Sequence, residues 1–149
     1  MDIDLKIRDG KLSDAADLAA LMCELGYGTA GAEMESRLIS ILKDPRYKTL
    51  VVLNDDKICG MIGTFTCYTY EHNSPSARIL ALVVSEKMRG RGVGRALIDA
   101  AEKDLARKNI SRIAVNTRFE RKDAHEFYEK LGYTKNGFRL VKELPRPAD

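Results

Sequence analysis

The chain predicts one mixed α/β domain with a sheet of six to seven strands and about four helices. Three observations carry that prediction. Apolar Ile3, Leu5 and Ile7 alternate with Asp4 and Lys6, the period of a half-buried strand. Apolar residues then recur at three- and four-residue spacings in separate segments, the period of amphipathic helices. Arg78 to Val84 is almost wholly apolar, which suits a central strand covered on both faces. At 149 residues and 44% apolar composition, the chain has material for a single core, and residues 1–149 read as one domain.

The elements follow in order. Asp9-Gly10 ends the first strand, and Ser13 is placed to cap a helix whose inner stripe is Leu18, Leu21, Met22 and Leu25 before Gly26. A polar stretch from Tyr27 to Gly31 leads to a second helix through Met34, Leu38, Ile41 and Leu42, and Pro45 follows it. Thr49 to Leu53 reads as a strand. Asn54-Asp55-Asp56 is its turn, and Ile58 to about Tyr70 its hairpin partner. After the buried strand and its glycine loop, a third helix presents Leu97, Ile98, Ala101 and Leu105. Ile110 to Asn116 is a further strand, and Lys122 to Leu131 a fourth helix that Gly132 ends. Tyr133 to Leu144 reads as a last hairpin around Asn136-Gly137, a strong two-residue turn signal.

Composition excludes several classes of function. The longest apolar run is six residues, Ile79 to Val84, far short of the roughly 20 that span a bilayer. The N-terminus has no apolar segment of the secretory kind, so the expected location is the cytoplasm. Cys23, Cys59 and Cys67 form no CxxC and have no histidine at zinc spacing. No metal site is expected, and the cysteines read as buried free thiols. Net charge is only +3, yet residues 85–122 hold 11 Lys/Arg against five Asp/Glu. So local a basic block suits a compact polyanion. It lacks the interleaved aromatic residues that a nucleic-acid track needs for stacking, so no nucleic-acid partner is expected.

The segment Leu82-Val83-Val84-Ser85-Glu86-Lys87-Met88-Arg89-Gly90-Arg91-Gly92-Val93-Gly94-Arg95 carries the chemistry. A buried strand ends, a loop with three alternate glycines follows, and a helix begins. The glycines permit backbone conformations closed to other residues and let a ligand approach closely. The free N–H groups of the first helical turn converge with the positive end of the helix dipole behind them, which suits a pyrophosphate. Arg89, Arg91 and Arg95 surround the spot with permanent charge. The G-x-x-x-x-G-K-[ST] loop of nucleotide hydrolases is not met, because no Lys-Ser/Thr pair follows. The dinucleotide pattern G-x-G-x-x-G fails too, since Arg95 stands at its last position.

This loop resembles motif A of the GNAT-type N-acetyltransferase superfamily, R/Q-x-x-G-x-G/A, through Arg89, Gly92 and Gly94. About 30 residues later, Ala124-His125-Glu126-Phe127-Tyr128-Glu129-Lys130-Leu131-Gly132-Tyr133 resembles the family's A-x-x-F-Y-x-x-x-G-F/Y signature. The order of elements also agrees, so the resemblance covers nearly the whole chain. It implies a twisted, mostly antiparallel sheet splayed between the motif A strand and the next. It also implies coenzyme A as cofactor. Leu82, Val83 and Val84 would face its pantetheine arm, and the amides from Arg89 through Gly90, Arg91, Gly92, Val93 and Gly94 to Arg95 would hold its pyrophosphate. The strand around Val115 and Asn116 would splay away. Arg121 departs from the family pattern, standing where many relatives have Asn, and is a candidate either for contact with a cofactor phosphate or for a solvated helix start.

The implied activity moves an acetyl group from acetyl-CoA to a primary amine of a small molecule or peptide, with Tyr128 as the acid that protonates the departing thiolate. A phenol with a pKa of about 10 can share a proton with a thiol of about 8.5. The backbone N–H of Val84 is a candidate for polarising the thioester oxygen. Many relatives carry a glutamate on the strand before motif A, whereas Ile79-Leu80-Ala81-Leu82 has no carboxylate. Glu71, His72 or an ordered water remain as bases. Tyr27, Tyr68 and Tyr70 are candidate acceptor walls. A homodimer through the terminal hairpin is an expectation of the same resemblance. The alternative function is a catalytically silent acyl-CoA-binding regulatory module, which would keep the glycine loop and have no use for Tyr128.

Overall fold

A computed structural model of the chain describes residues 4–117 and 122–146. These residues fall into two compact units divided after Val115. The first holds strands β1 (Leu5–Asp9), β2 (Tyr47–Asn54), β3 (Lys57–Cys67), β4 (Ser76–Val84) and β5 (Ile113–Val115). Its helices are α1 (Ala15–Leu25), α2 (Gly31–Lys43) and α3 (Val93–Arg107). The strands form one sheet in the order β1-β2-β3-β4-β5. Neighbours are antiparallel except β4 and β5, which run parallel.

The sheet is the middle of three layers. Val51, Met61 and Val83 are in register across β2, β3 and β4. They pack against Leu18, Leu21, Met34 and Leu38 of α1 and α2. The opposite face meets α3, whose Leu97, Ile98, Ala101 and Leu105 are all buried. Gly60 makes the close approach possible: a Cβ there would lie 3.0 Å from Val52 Cγ1, 3.1 Å from the Val83 carbonyl oxygen and 3.3 Å from Leu97 Cδ1.

The turn from β1 into α1 is held by an ion pair. Arg8 grips Asp14 with both guanidinium nitrogens, at 2.8 and 3.0 Å. The Lys11 N–H donates to the same carboxylate at 2.8 Å. Arg8 is thus the main cause that holds the buried Asp14 carboxyl below its usual pKa. Ser13 was the expected helix cap, but it lies within a short 3-10 turn, Leu12–Asp14. Asp14 satisfies the Lys11 donor because its carboxylate has the arginine to offset its burial.

Three further expectations are corrected. The described sheet has five strands, and residues 133–146 form no ladder. The expected terminal hairpin has no buried face to rest on: Phe138, Leu140, Val141 and Leu144 are all exposed, and a lone two-stranded hairpin is marginal in water. β5 begins at Ile113 rather than Ile110, because the Ile110 N–H turns back to the Leu105 carbonyl and ends α3. Cys59 is buried and its thiol is pushed up by desolvation, whereas Cys67 is half-buried and Cys23 is exposed. Cys23 lies on the outer face of α1, its sulfur 3.4 Å from the Thr29 N–H and carbonyl groups.

The second unit contains α4 (Lys122–Lys130). Tyr128 is its buried residue, set edge-on to Phe127 at 5.2 Å and to Tyr133 at 5.5 Å between ring centroids. The Leu131 and Tyr133 N–H groups both donate to the Tyr128 carbonyl and close the helix. Gly132 follows with a φ of 95°.

Gly60→Ala should destabilise the protein by about 1–3 kcal/mol, the usual range for an overpacked core. The methyl group meets a backbone carbonyl that cannot yield. Urea unfolding of the two proteins measures this, and an unchanged midpoint would refute the close packing of α3 on β3.

Candidate functional site

The site begins with an irregularity in β4. Gly63 of β3 faces Ala81, but the next residue, Thr64, faces Ile79, so Leu80 is an extra residue on β4. Such a bulge bends its strand and re-aims the residues beyond it. The ladder between β4 and β5 stops at the same point, with Ile79 opposite Val115 as its last pair. β4 continues to Val84. From Leu80 onward its β5-facing edge has no strand beside it among the described residues.

The bulge also decides which backbone groups line that edge. The Ala77 N–H donates to the Arg112 carbonyl at 2.9 Å, so Ala77 faces β5. An unbroken alternation would continue through Ile79, Ala81 and Val83. At the far end, however, the Ser85 N–H donates to Cys59 O at 2.8 Å while Val84 stands opposite Gly60. Val84 is therefore in a non-hydrogen-bonded pair with β3. By the same alternation, Leu82 and Val84 present N–H and C=O to the open edge, and those of Val83 are used by β3. The extra residue moves the even-numbered positions to the open side.

The loop after β4 is anchored at both ends. Met88 is buried below a 3-10 turn, Glu86–Met88, and Val93 is buried at the start of α3. Between them Gly90 and Gly92 have φ values of 77° and 82°, the left-handed region that glycine enters without strain. Nothing lies within 4 Å of a Cβ built on either, so the space above the loop is open. Arg89 Nε donates to the Val84 carbonyl at 3.1 Å and folds the loop onto the strand end. The first turn of α3 has no acidic residue, and its early N–H groups have no intrahelical acceptor. Arg89, Arg91 and Arg95 are exposed and form no ion pair among the described residues. Unspent donors, unpaired guanidinium groups and open space fit the pyrophosphate of coenzyme A. Val93 can offer that group its amide, since its side chain is in the core.

The other candidates lie elsewhere. Glu71 and His72 are exposed on the loop between β3 and β4, beside the start of β4 rather than its end. β4 has nine residues, which at about 3.3 Å each puts Ser76 roughly 26 Å from Val84. Tyr27 is in the loop from α1 to α2, and Tyr68 and Tyr70 follow β3; all three are exposed. Asn116 follows β5 and is exposed. Arg121 lies outside the described residues, and Tyr128 belongs to the second unit. Sequence reading missed a cavity of about 290 Å³ at the start of β4, whose walls include Thr69, Ser76, Arg78 and Arg112. Arg78, a cation inside an otherwise apolar strand, was its one visible sign.

Comparison with known proteins agrees with this geometry. The acetyltransferase (GNAT) family model matches residues 15–133. An aminoalkylphosphonate N-acetyltransferase from Salmonella typhimurium is 28% identical over 140 residues, which are 93% of this chain and 91% of that protein. A crystal structure of a GNAT family acetyltransferase from Staphylococcus aureus superposes with a TM-score of 0.81 at 28% identity, over 94% of this chain and 98% of that one. An aminoglycoside N-acetyltransferase solved in complex with CoA has the same fold, with a TM-score of 0.83 at 19% identity, over 98% and 97% of the two chains. With the motif A loop, the bulged strand and the parted β4 and β5, the match identifies the chain as an N-acetyltransferase belonging to the acetyltransferase (GNAT) family.

Proposed function

We propose that the chain moves the acetyl group of acetyl-CoA to a primary amine of a small molecule or peptide, by direct attack within a ternary complex. The observation that carries this reading is the combination of the open β4 edge with the cationic glycine loop at its end. Residues 1–149 act as one catalytic domain in this reading. The donor supplies an activated thioester. The loop amides and Arg89, Arg91 and Arg95 hold its pyrophosphate, and the Leu82 and Val84 backbone groups align its pantetheine arm. The Leu82 N–H, on the open edge and nearer than Val84 to the acceptor end of the strand, is the donor available to a developing oxyanion.

The amine's nitrogen forms a bond to the carbonyl carbon, and the carbon–sulfur bond breaks. The nitrogen's surplus proton goes to a base, for which Glu71, His72 and a water are the candidates. Tyr128 gives its phenolic proton to the departing thiolate. Alignment of the two reactants in one cleft contributes much of the rate. The relative from Salmonella typhimurium supports an aminoalkyl compound as the acceptor class. A silent acyl-CoA-binding module remains the second reading, and Tyr128 speaks against it.

The same reading places the reaction in the cytoplasm; among the described residues no helix is long and apolar enough to cross a membrane. It also includes a homodimer, in which a second copy covers Phe138, Leu140, Val141 and Leu144. Sedimentation showing only monomer at micromolar concentration would remove the dimer.

Two measurements test the chemistry. Calorimetric titration should show micromolar binding of acetyl-CoA and none of ATP or NAD. Gly92→Trp, which fills the open space above the loop, and Arg91→Glu, which reverses a charge, should each weaken that binding at least tenfold. Equal binding by both variants would overturn the cofactor site. Tyr128→Phe keeps the ring packing against Phe127 and Tyr133. It should lower kcat by about 100-fold or more with little change in acetyl-CoA affinity. Thiol release at the unaltered rate would remove Tyr128 from the mechanism.

A further inference from the structure

The cavity at the start of β4 has the chemistry of a binding site. It lies where β3 has ended and β4 and β5 begin, opposite the end that carries the glycine loop. Its volume is about 290 Å³, enough for a compact polar ligand. Arg78 and Arg112 line it, and neither has an ion pair or side-chain hydrogen bond among the described residues. Thr69 and Ser76 also line it, with hydroxyl oxygens that are buried behind its surface and have no hydrogen-bond partner among the described residues. Buried hydroxyls of this kind are uncommon, because an unmade hydrogen bond is costly. Glu71 and His72 complete the polar lining.

These groups select the ligand's charge. Two guanidinium groups outweigh the single carboxylate, so a simple cation is repelled. An apolar ligand would cover the two guanidinium groups without giving them a partner. An oxyacid group answers both cations: its oxygens accept from the planar arginine forks. Glu71 then remains for an ammonium group on the same molecule. The position fits as well, because Arg78 immediately precedes Ile79, after which β4 and β5 part.

We propose that this cavity anchors the oxyacid group of the amine acceptor, with Arg78 and Arg112 as its cationic clamp. The acceptor is thereby a small amino-oxyacid, of phosphonate or carboxylate type. This rests on the acetyl-transfer reading above and goes further by assigning the residues that choose the substrate.

The experiment has a binding arm and a turnover arm. In the first, methylphosphonate and propionate, which carry no amine, are titrated into the whole protein while its amide resonances are followed. Shifts confined to residues 67–78 and 112–114 are expected, lost in Arg78→Met and Arg112→Met. Both arginines are exposed, and unchanged melting temperatures would confirm that the variants fold. The stronger of the two anions identifies the oxyacid. In the second arm, thiol release is measured with 2-aminoethylphosphonate, β-alanine and propylamine. One of the anionic amines should have a KM at least tenfold below that of propylamine. The arginine variants should raise that KM at least tenfold and leave the KM for propylamine and the affinity for acetyl-CoA within about twofold.

The failures are separable. A silent anion titration, or an equal loss for charged and uncharged amines, would overturn the anchor and leave acetyl transfer standing. Specific anion binding without release of thiol from any amine would uphold an oxyacid pocket but refute its part in acetyl transfer, and with it the proposed function.

Discussion

The parting of β4 from β5 is the constraint on which the rest of the site depends. A strand in the middle of a sheet ordinarily spends its N–H and C=O groups on both neighbours. Here β4 has β5 beside it only from Ala77 to Ile79, while β3 stays with it to Val84. The extra residue at Leu80 coincides with the last pair. A bulge bends its strand and increases local twist, and the pairing with β5 ends there. The result is a half-open strand inside a fully packed sheet, with Leu82 and Val84 facing the opening. An exposed edge is normally a liability. In this fold the core beneath it makes it rigid, because Val83 is buried against α1 and α2 and α3 sits over Gly60.

Charge is arranged along the same strand. The cations at its end, Arg89, Arg91 and Arg95, stand around free amides at the start of α3. The cations at its beginning, Arg78 and Arg112, stand around buried hydroxyls. Four cations elsewhere in the first unit are paired: Arg8 with Asp14, Arg46 with Asp44, Lys48 with Asp9 and Lys108 with Asp104. Paired surface charges contribute little field, whereas these unpaired groups keep theirs.

Much of this was legible in the residues. The glycine loop was, because Gly90, Gly92 and the arginines stand together in one short segment. The helices α1 to α3 were, because their apolar stripes have a clear period. The bulge was not: within Ile79 to Val84 every residue is apolar, and an extra residue in such a run leaves no mark on the alternation. Nor was the cavity, since Thr69, Ser76, Arg78 and Arg112 come from three separate segments that only the sheet brings together. Asn136-Gly137 misled in the opposite sense. A turn signal specifies how two strands would join, but strands also need a face to bury, and Phe138 and Leu140 are exposed.

The apolar stretch Ile79-Leu80-Ala81-Leu82 bears on how the amine loses its proton. A carboxylate among those residues would sit in the gap itself and be desolvated with the substrate. Without one, the walls of the gap are hydrocarbon and backbone, a medium in which each fixed N–H acts more strongly on developing charge. The proton acceptor must then reach in from the rim, where Glu71 and His72 remain hydrated. An acid anchored beside them would leave its amine a short tether away from the gap. In the proposed reaction, substrate selection and deprotonation thus fall together at the start of β4, and the glycine loop holds the donor from the strand's other end.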